Sequence, residues 1–156
     1  MSGTKFRFAD WGSNTVPATP GVYVIWRGIE FLYVGMAGRG IVAPLPGGDK
    51  LVATRSRGLL GRLSSHASGR RSGDQFCVYV ADRLLLPRLS RKQVNDIAVG
   101  AVSMDSLVRE LVRTEFTYSF TSTSDGRSAE TIERTIKAEG LPGIGRPFLN
   151  PGSAPD

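Results

Sequence analysis

The sequence predicts a single domain of the α/β (α+β) class, in which a small mixed or antiparallel central sheet begins with a β-hairpin and is flanked by helices. Its 156 residues suit one domain better than two, and 40% hydrophobic residues suffice for a sizeable core. The predicted elements follow the order β-β-α-β-α-α-β-α along the chain. The domain is expected over residues 20–151, between an N-terminal lead of residues 1–19 and a tail of residues 152–156.

Two short runs of β-branched and aromatic residues predict the hairpin. These runs are Val22–Trp26 and Phe31–Val34, and the segment between them contains Gly28. Such a short loop with glycine is typical of a hairpin. If the loop has three residues, Tyr23 lies opposite Tyr33, and both phenols then share one face of the sheet.

Two further strands are expected later in the chain. Phe76–Val80 is a continuous apolar run, which is typical of a central strand that is buried on both faces. Phe116–Thr121 alternates aromatic and polar residues, which indicates a strand with one exposed face.

Four helices are predicted from apolar periodicity and from residues that cap helix ends. The first carries a stripe before Gly69, the second and third follow capping serines, and the fourth lies between Ser128 and Gly140. The apolar stripe of the first helix is Leu59, Leu60, Leu63 and Ala67, and that of the fourth is Ala129, Ile132 and Ile136. The second helix is predicted from Ser90 with Gln93, and the third from Ser103. Residues 141–156 are rich in glycine and proline and are expected to be irregular.

The charge balance favours a polyanionic partner, with nucleic acid the first candidate. The net charge is +6 and the isoelectric point is near 10.0. Part of the basic charge lies in residues 38–58, a stretch broken by glycine and proline that predicts a long basic insertion loop. The residues expected to follow a nucleic-acid backbone are Arg39, Lys50, Arg55, Arg57, Arg70 and Arg71.

Several classes of protein are excluded by composition. With Cys77 as the only cysteine and His66 as the only histidine, neither an intramolecular disulfide nor a zinc site of cysteine and histidine ligands can form. No apolar run reaches the roughly 18 residues of a membrane span, and Met1–Asp10 lacks the hydrophobic segment of a signal peptide. A cytoplasmic protein without a membrane partner is therefore expected.

A set of short motifs carries a more specific signal. Gly21-Val22-Tyr23 stands ten residues before Tyr33-Val34-Gly35, and Arg62 and His66 follow on a helix. Glu133 lies on a late helix and Asn150 lies near the end. In this order and spacing the chain resembles the GIY-YIG nuclease superfamily over roughly Pro20 to Pro151, and the resemblance implies a GIY-YIG-like fold and a DNA endonuclease that uses Mg²⁺ or Mn²⁺.

The resemblance also implies a role for each matching residue. Tyr23 would activate water, Tyr33 would hydrogen-bond the phosphate or the water, and Arg62 would hold the phosphoryl oxygens. His66 would share a proton with a tyrosine or bind the phosphate, Glu133 would bind the metal ion, and Asn150 would support the site. A phenol deprotonates water only if its pKa falls well below about 10, so a nearby cation is expected to help. Gly21 and Gly35 would serve the structure of the motif.

Several alternatives remain open on the sequence alone. Glu130 competes with Glu133 as the metal ligand, and Arg57 competes with Arg62. Met36 stands where many members of the GIY-YIG superfamily carry Lys, Ser or Thr. An alternative function therefore remains open, a nucleic-acid-binding module that does not cleave and that acts in a repair or mobile-element complex. A hydrolase using Ser64 or Ser65 with His66 is disfavoured, because adjacent residues of a helix do not face each other.

The expected nucleic-acid partner is double-stranded DNA. Cutting both strands at one locus requires either two active sites, as in a homodimer, or two successive cleavage events by one site.

Overall fold

The computed structural model describes residues 4–42 and 58–150 and has an α+β fold. Four strands form one antiparallel sheet in the order β1-β4-β2-β3, and α-helices cover both of its faces. The strands are β1 (Phe6–Arg7), β2 (Gly21–Arg27), β3 (Glu30–Ala37) and β4 (Phe116–Ser122). The helices of the described ranges are α1 (Gly58–Ser68), α2 (Gln75–Val80), α3 (Arg91–Ala98), α4 (Met104–Glu115) and α5 (Gly126–Glu139).

The two faces of the sheet carry separate core clusters. On one face, Tyr23 and Ile25 of β2 pack with buried residues of α1, α2 and α4. On the other face, Val22 and Val24 pack against α5. Strand β2 is buried on both faces because β3 and β4 flank it and helices cover it above and below.

The N-terminal segment belongs to the same sheet and core. Strand β1 pairs with β4, with Phe6 opposite Tyr118. A short 3₁₀ turn follows and places Phe8 in the first cluster, with its side chain fully buried. The lead expected over residues 1–19 therefore contributes an edge strand and a core residue.

The strand predicted at Phe76–Val80 is wrong, because this run forms helix α2 and continues into a π-helical stretch, Ala81–Leu85. The Asp74 side chain caps the helix by accepting a hydrogen bond from the Cys77 backbone N–H at 3.2 Å. A short continuous apolar run fits a buried strand and a buried helix equally well, so periodicity could not decide.

The hairpin is confirmed, but its register differs from the one expected for a three-residue loop. The loop has two residues, since Arg27 pairs with Glu30, and a bulge interrupts the pairing between Ile25 and Trp26. Tyr23 consequently lies opposite Gly35 instead of Tyr33. The two phenols still share a face, and their ring centroids are 6.3 Å apart.

The predicted helix caps at Ser90 and Ser103 are confirmed, with a complete capping box at Ser90. Two residues expected in buried stripes are exposed instead: Leu60 and Ile132 retain 39% and 38% of their accessible surface. Helix α5 begins at Gly126 with Asp125 as its cap, two residues before the predicted start. Within the described ranges, no helix is long and apolar enough to cross a membrane.

The last described residues cover the free edge of β3. The backbone N–H groups of Phe148 and Leu149 donate to Phe31 O and Leu32 O at 3.0 and 2.7 Å. The buried Asn150 amide then donates to Val34 O and accepts from Val34 N, both at 2.9 Å. The side chain thus replaces a neighbouring strand and holds β3 between Tyr33 and Gly35.

Replacing Asn150 by alanine should lower the free energy of unfolding by about 2–4 kcal/mol, because both buried backbone groups of Val34 lose their partner. Urea unfolding followed by circular dichroism measures the change. The exposed Asn95 on α3 is the control, and Asn95→Ala should stay within about 0.5 kcal/mol of the wild type. Equal effects of the two substitutions would contradict the supporting role of Asn150.

Candidate functional site

A cavity of about 400 Å³ brings together the residues that the motifs single out. Tyr23 comes from β2, Tyr33 from β3, Arg62 and His66 from α1, and Glu133 from α5. These five residues reach the cavity from four different elements. The structure thus places at one cavity five of the residues to which the resemblance assigns a role.

Glu133 reaches this cavity from the opposite face of the sheet. Helix α5 packs on the face away from α1, yet the cavity is bordered by the end of the edge strand β3, where side chains from both faces can meet. The Glu133 side chain is only 13% exposed, and its Oε1 lies 3.0 Å from Lys137 Nζ. It is a largely shielded carboxylate, and Lys137 is its one ion-pair partner within the described ranges.

Two glycines of the motifs are required by close packing. A Cβ at Gly35 would overlap the Tyr23 hydroxyl and ring, because the Tyr23 ring lies across this position of the neighbouring strand. A Cβ at Gly21 would overlap the Thr121 carbonyl of β4 and would lie 2.7 Å from Leu59 Cδ1 of α1. Gly35 therefore lets the phenol lie over β3, and Gly21 lets α1 approach the hairpin.

A chain of two short hydrogen bonds runs from the cavity into the core. The Tyr23 hydroxyl lies 2.7 Å from His66 Nε2, and His66 Nδ1 lies 2.7 Å from Asp74 Oδ2. All three residues are at most 1% exposed. Phe76 packs on the imidazole, with ring centroids 4.7 Å apart, and holds its plane. His66 is thus a core residue with both ring nitrogens engaged, which leaves none for Ser64 or Ser65.

Both phenols of the cavity are protonated at neutral pH. Burial raises the pKa of Tyr23 well above its usual value, and Tyr33 adds to the rise. Burial and the charge of Glu133 raise the pKa of Tyr33 as well. Arg62 lowers both pKa values, as a nearby cation should, but burial outweighs it. Tyr23 can therefore take a proton from water only if its own proton leaves to a base.

Asp74 is the functional candidate that sequence reasoning missed. Its carboxylate uses one oxygen for His66 and the other for the Cys77 N–H. Burial alone would raise the pKa of Asp74, but hydrogen bonds from His66, Ser65 and the Cys77 N–H hold the pKa below its ordinary value. An aspartate before an apolar run is a helix-cap signal, which the interpretation of Phe76–Val80 as a strand concealed.

The basic residues for which the sequence predicts contact with a phosphate or a nucleic-acid backbone fall into three groups. Arg62 is exposed, lines the cavity and forms no ion pair with any described carboxylate; Arg39 also lines it and lies 3.4 Å from Glu130 Oε1. Arg70 and Arg71 do not line this cavity, and Arg71 Nε pairs with Asp105 at 2.7 Å. The residues predicted in the insertion loop, Lys50, Arg55 and Arg57, lie outside the described ranges.

Among the described residues, two carboxylates line the cavity, those of Asp74 and Glu133, and only Glu133 is suited to a metal ion. The ligand atoms of His66, Asp74 and Cys77 lie within 4.8 Å of one another, but hydrogen bonds occupy the first two and burial raises the pKa of the Cys77 thiol. Glu133 is the remaining carboxylate, with solvent access on the cavity side. Glu130 does not line the cavity and faces Arg39 and Arg134.

Substituting Gly35 by alanine should displace the Tyr23 ring and cost about 1–3 kcal/mol of stability, because the added methyl needs the space of the phenol. Thermal or urea unfolding measures the cost. In a Tyr23→Leu background, which removes the ring, the same substitution should cost much less. An equal cost in both backgrounds would show that Tyr23 is not what requires glycine here.

The stability of the fold should depend on the ionisation of Asp74. Because its pKa is lower in the folded than in the unfolded chain, the ionised carboxylate stabilises the fold above about pH 4, and this contribution is lost as the pH falls through the folded pKa. Urea unfolding at pH 7 should therefore separate wild type from Asp74→Asn by about 2 kcal/mol, and the gap should shrink towards pH 3.

The exposed Asp82 supplies the matched control for this measurement, and Asp82→Asn should follow the wild type at every pH. A gap between wild type and Asp74→Asn that stays constant from pH 7 to pH 3 would contradict the assignment.

Comparison of the chain with protein-family models, with curated proteins and with solved structures finds no match. The functional conclusion therefore depends on the arrangement of the side chains around this cavity.

Proposed function

We propose that the protein is a metal-dependent DNA endonuclease that hydrolyses phosphodiester bonds by direct attack of water. The observation that carries the proposal is that two phenols, a guanidinium and a shielded carboxylate from four different elements line one cavity. The resemblance of the motifs to the GIY-YIG nucleases supports the same chemistry.

Arg62 is the group suited to hold the scissile phosphate. Hydrolysis must neutralise the charge that grows on the phosphoryl oxygens, and a guanidinium offers a fixed fork of donors that matches their geometry. Arg62 is exposed at the cavity and has no described anionic partner, so its charge is available to a ligand. Arg39 adds a second cation on the same cavity, although Glu130 shares it.

Glu133 is the residue suited to hold one divalent ion. Mg²⁺ and Mn²⁺ prefer oxygen ligands, and Mg²⁺ at phosphate sites commonly keeps several waters and uses one or two carboxylates. When bound, such an ion supplies positive charge that polarises the phosphoryl group. The ion has to compete with Lys137 for the carboxylate, because Lys137 Nζ lies 3.0 Å from Glu133 Oε1.

The phenols are suited to orient the attacking water. The Tyr23 hydroxyl lies 2.7 Å from His66 Nε2. When the hydroxyl donates to this nitrogen, the lone pairs of its oxygen are free to accept from a water in the cavity. Tyr33, protonated and close to Glu133, can donate to a phosphoryl oxygen or to the same water. His66 belongs to this arrangement as the acceptor of the Tyr23 proton.

Double-stranded DNA is the proposed substrate because of the net charge of +6 and the cations at the cavity. Sequence-independent contact to the phosphates follows from such charges. The compartment in which the protein acts is proposed to be the cytoplasm.

A non-cleaving DNA-binding module is the second candidate. The ion pair between Lys137 and Glu133 favours it, since a carboxylate already neutralised by lysine needs no metal to be stable. Met36 lines the cavity as well, and its uncharged side chain packs in the apolar cluster beneath α5, so this position supplies no charge to the phosphate. The two candidates differ in turnover and not in binding.

Supercoiled plasmid incubated with the protein and Mg²⁺ or Mn²⁺ should be nicked or linearised, and a chelator should abolish the reaction. Glu133→Ala should lower the cleavage rate by at least ~100-fold, since the proposed metal ligand is lost. Its affinity for a short duplex, measured by fluorescence anisotropy, should change little.

Glu139→Ala is the matched control, because Glu139 lies exposed on the same helix and the change in charge is equal. Glu130→Ala tests the competing ligand and should also leave the metal dependence unchanged. Tight DNA binding without cleavage in either metal would favour the binding module, and full cleavage by Glu133→Ala would overturn the assignment of the metal ligand.

A further inference from the structure

The carboxylate of Asp74 is placed for more than capping a helix. Its Oδ1 accepts from the Cys77 N–H at 3.2 Å, which is the capping interaction. Its Oδ2 lies 2.7 Å from His66 Nδ1, although a cap needs only one oxygen. The second contact is fully buried and directed at the imidazole that bonds the cavity phenol.

This contact decides which nitrogen of His66 carries the proton. An ionised carboxylate can only accept a hydrogen bond, so Nδ1 must be the donor. Neutral imidazole has one N–H, and with the proton on Nδ1, Nε2 is left as an acceptor towards the Tyr23 hydroxyl. The opposite tautomer would direct an N–H at the phenol oxygen and a lone pair at the carboxylate.

We infer that Asp74 is a positioning residue for the hydrolysis: it holds His66 in the Nδ1–H tautomer, so that Nε2 accepts the proton of Tyr23 while the phenol oxygen accepts one from the attacking water. This inference rests on the proposed function, and it adds a residue to which the motifs assign no role. Asp74 does not touch the substrate and acts only through His66.

The proton movements balance without any further reactant. The water O–H bond breaks as the water oxygen bonds to phosphorus, and its proton moves to the Tyr23 oxygen. The Tyr23 proton moves to His66 Nε2, and the imidazolium that forms is stabilised by the Asp74 carboxylate, which stays ionised. The bond from phosphorus to the leaving oxygen breaks, that oxygen is protonated by solvent, and His66 returns its proton through Tyr23.

The other titratable groups near His66 do not compete for this role. Tyr33 lies with its ring centroid 6.1 Å from that of His66, and burial keeps both Tyr33 and Cys77 protonated by raising their pKa values. Arg62 shares α1 with His66, and Glu133 approaches from α5 and pairs with Lys137. Asp74 is therefore the one carboxylate among the described residues that is hydrogen-bonded to the imidazole.

The tautomer can be measured directly, because His66 is the only histidine of the chain. In the ¹⁵N-labelled wild type at neutral pH, the imidazole should show a protonated Nδ1 and an unprotonated Nε2 by heteronuclear NMR. In Asp74→Asn, the amide oxygen can still cap α2, while its NH₂ group faces Nδ1 and should move the proton to Nε2. A wild-type imidazole protonated on Nε2 would overturn the inference without reference to activity.

Cleavage kinetics give the second readout. With saturating protein and Mg²⁺, Asp74→Asn should lower the single-turnover rate at pH 7 by ~100-fold or more, by analogy with loss of the tautomer-fixing carboxylate in hydrolase triads. Its affinity for the duplex should stay within a few fold. The deficit should shrink as the pH rises towards 10, where hydroxide replaces the base, and a purely structural defect would not show this pH dependence.

Asp82→Asn is the control for the change in charge and should cleave like the wild type. If the wild type cleaves and folded Asp74→Asn cleaves equally well, the inference fails while the proposed function stands. If the wild type cleaves nothing in either metal, the proposed function fails first, and the inferred role fails with it whatever the NMR spectrum shows.

Discussion

The hydrogen bond between the Tyr23 hydroxyl and His66 Nε2 is the interaction on which the site depends, because it joins two segments 43 residues apart and fixes the phenol at the cavity. Its geometry requires glycine at position 35, since any side chain there would occupy the space of the Tyr23 ring. The motif glycine is thus explained by packing within the hairpin, and the same packing leaves the phenol oxygen directed at the helix instead of at solvent.

The location of the cavity at the sheet edge explains how residues from both faces can serve one site. A carboxylate on α5 could not reach the opposite face through the middle of the sheet, but it can reach the cavity beside the edge strand β3. An edge strand needs a partner for its free backbone groups. The segment ending at Asn150 supplies that partner, which keeps Tyr33 and Gly35 in register with β2.

Burial sets the acid–base character of this site more strongly than its charges do. Arg62 lowers the pKa of each phenol, yet both remain raised because the hydroxyl groups are removed from water. A phenol of this kind is a hydrogen-bond donor at rest and needs a base to become an acceptor of protons. In the proposed mechanism, the imidazole and carboxylate behind Tyr23 supply that base, and both are buried.

The hairpin and the caps of α3 and α4 could be predicted from sequence, because strand propensity, turns and caps act over a few neighbouring residues. The candidate site residues were singled out by the resemblance of short motifs and not by these local rules. Tertiary structure alone decided that Phe76–Val80 is helical, because a short buried apolar run has no periodicity that distinguishes the two states. It also decided that Asp74 bonds to His66 and that Glu133 lines the same cavity as the phenols. Contacts such as that of Val34 with Asn150, 116 residues apart, depend on how whole elements pack, which no local pattern encodes.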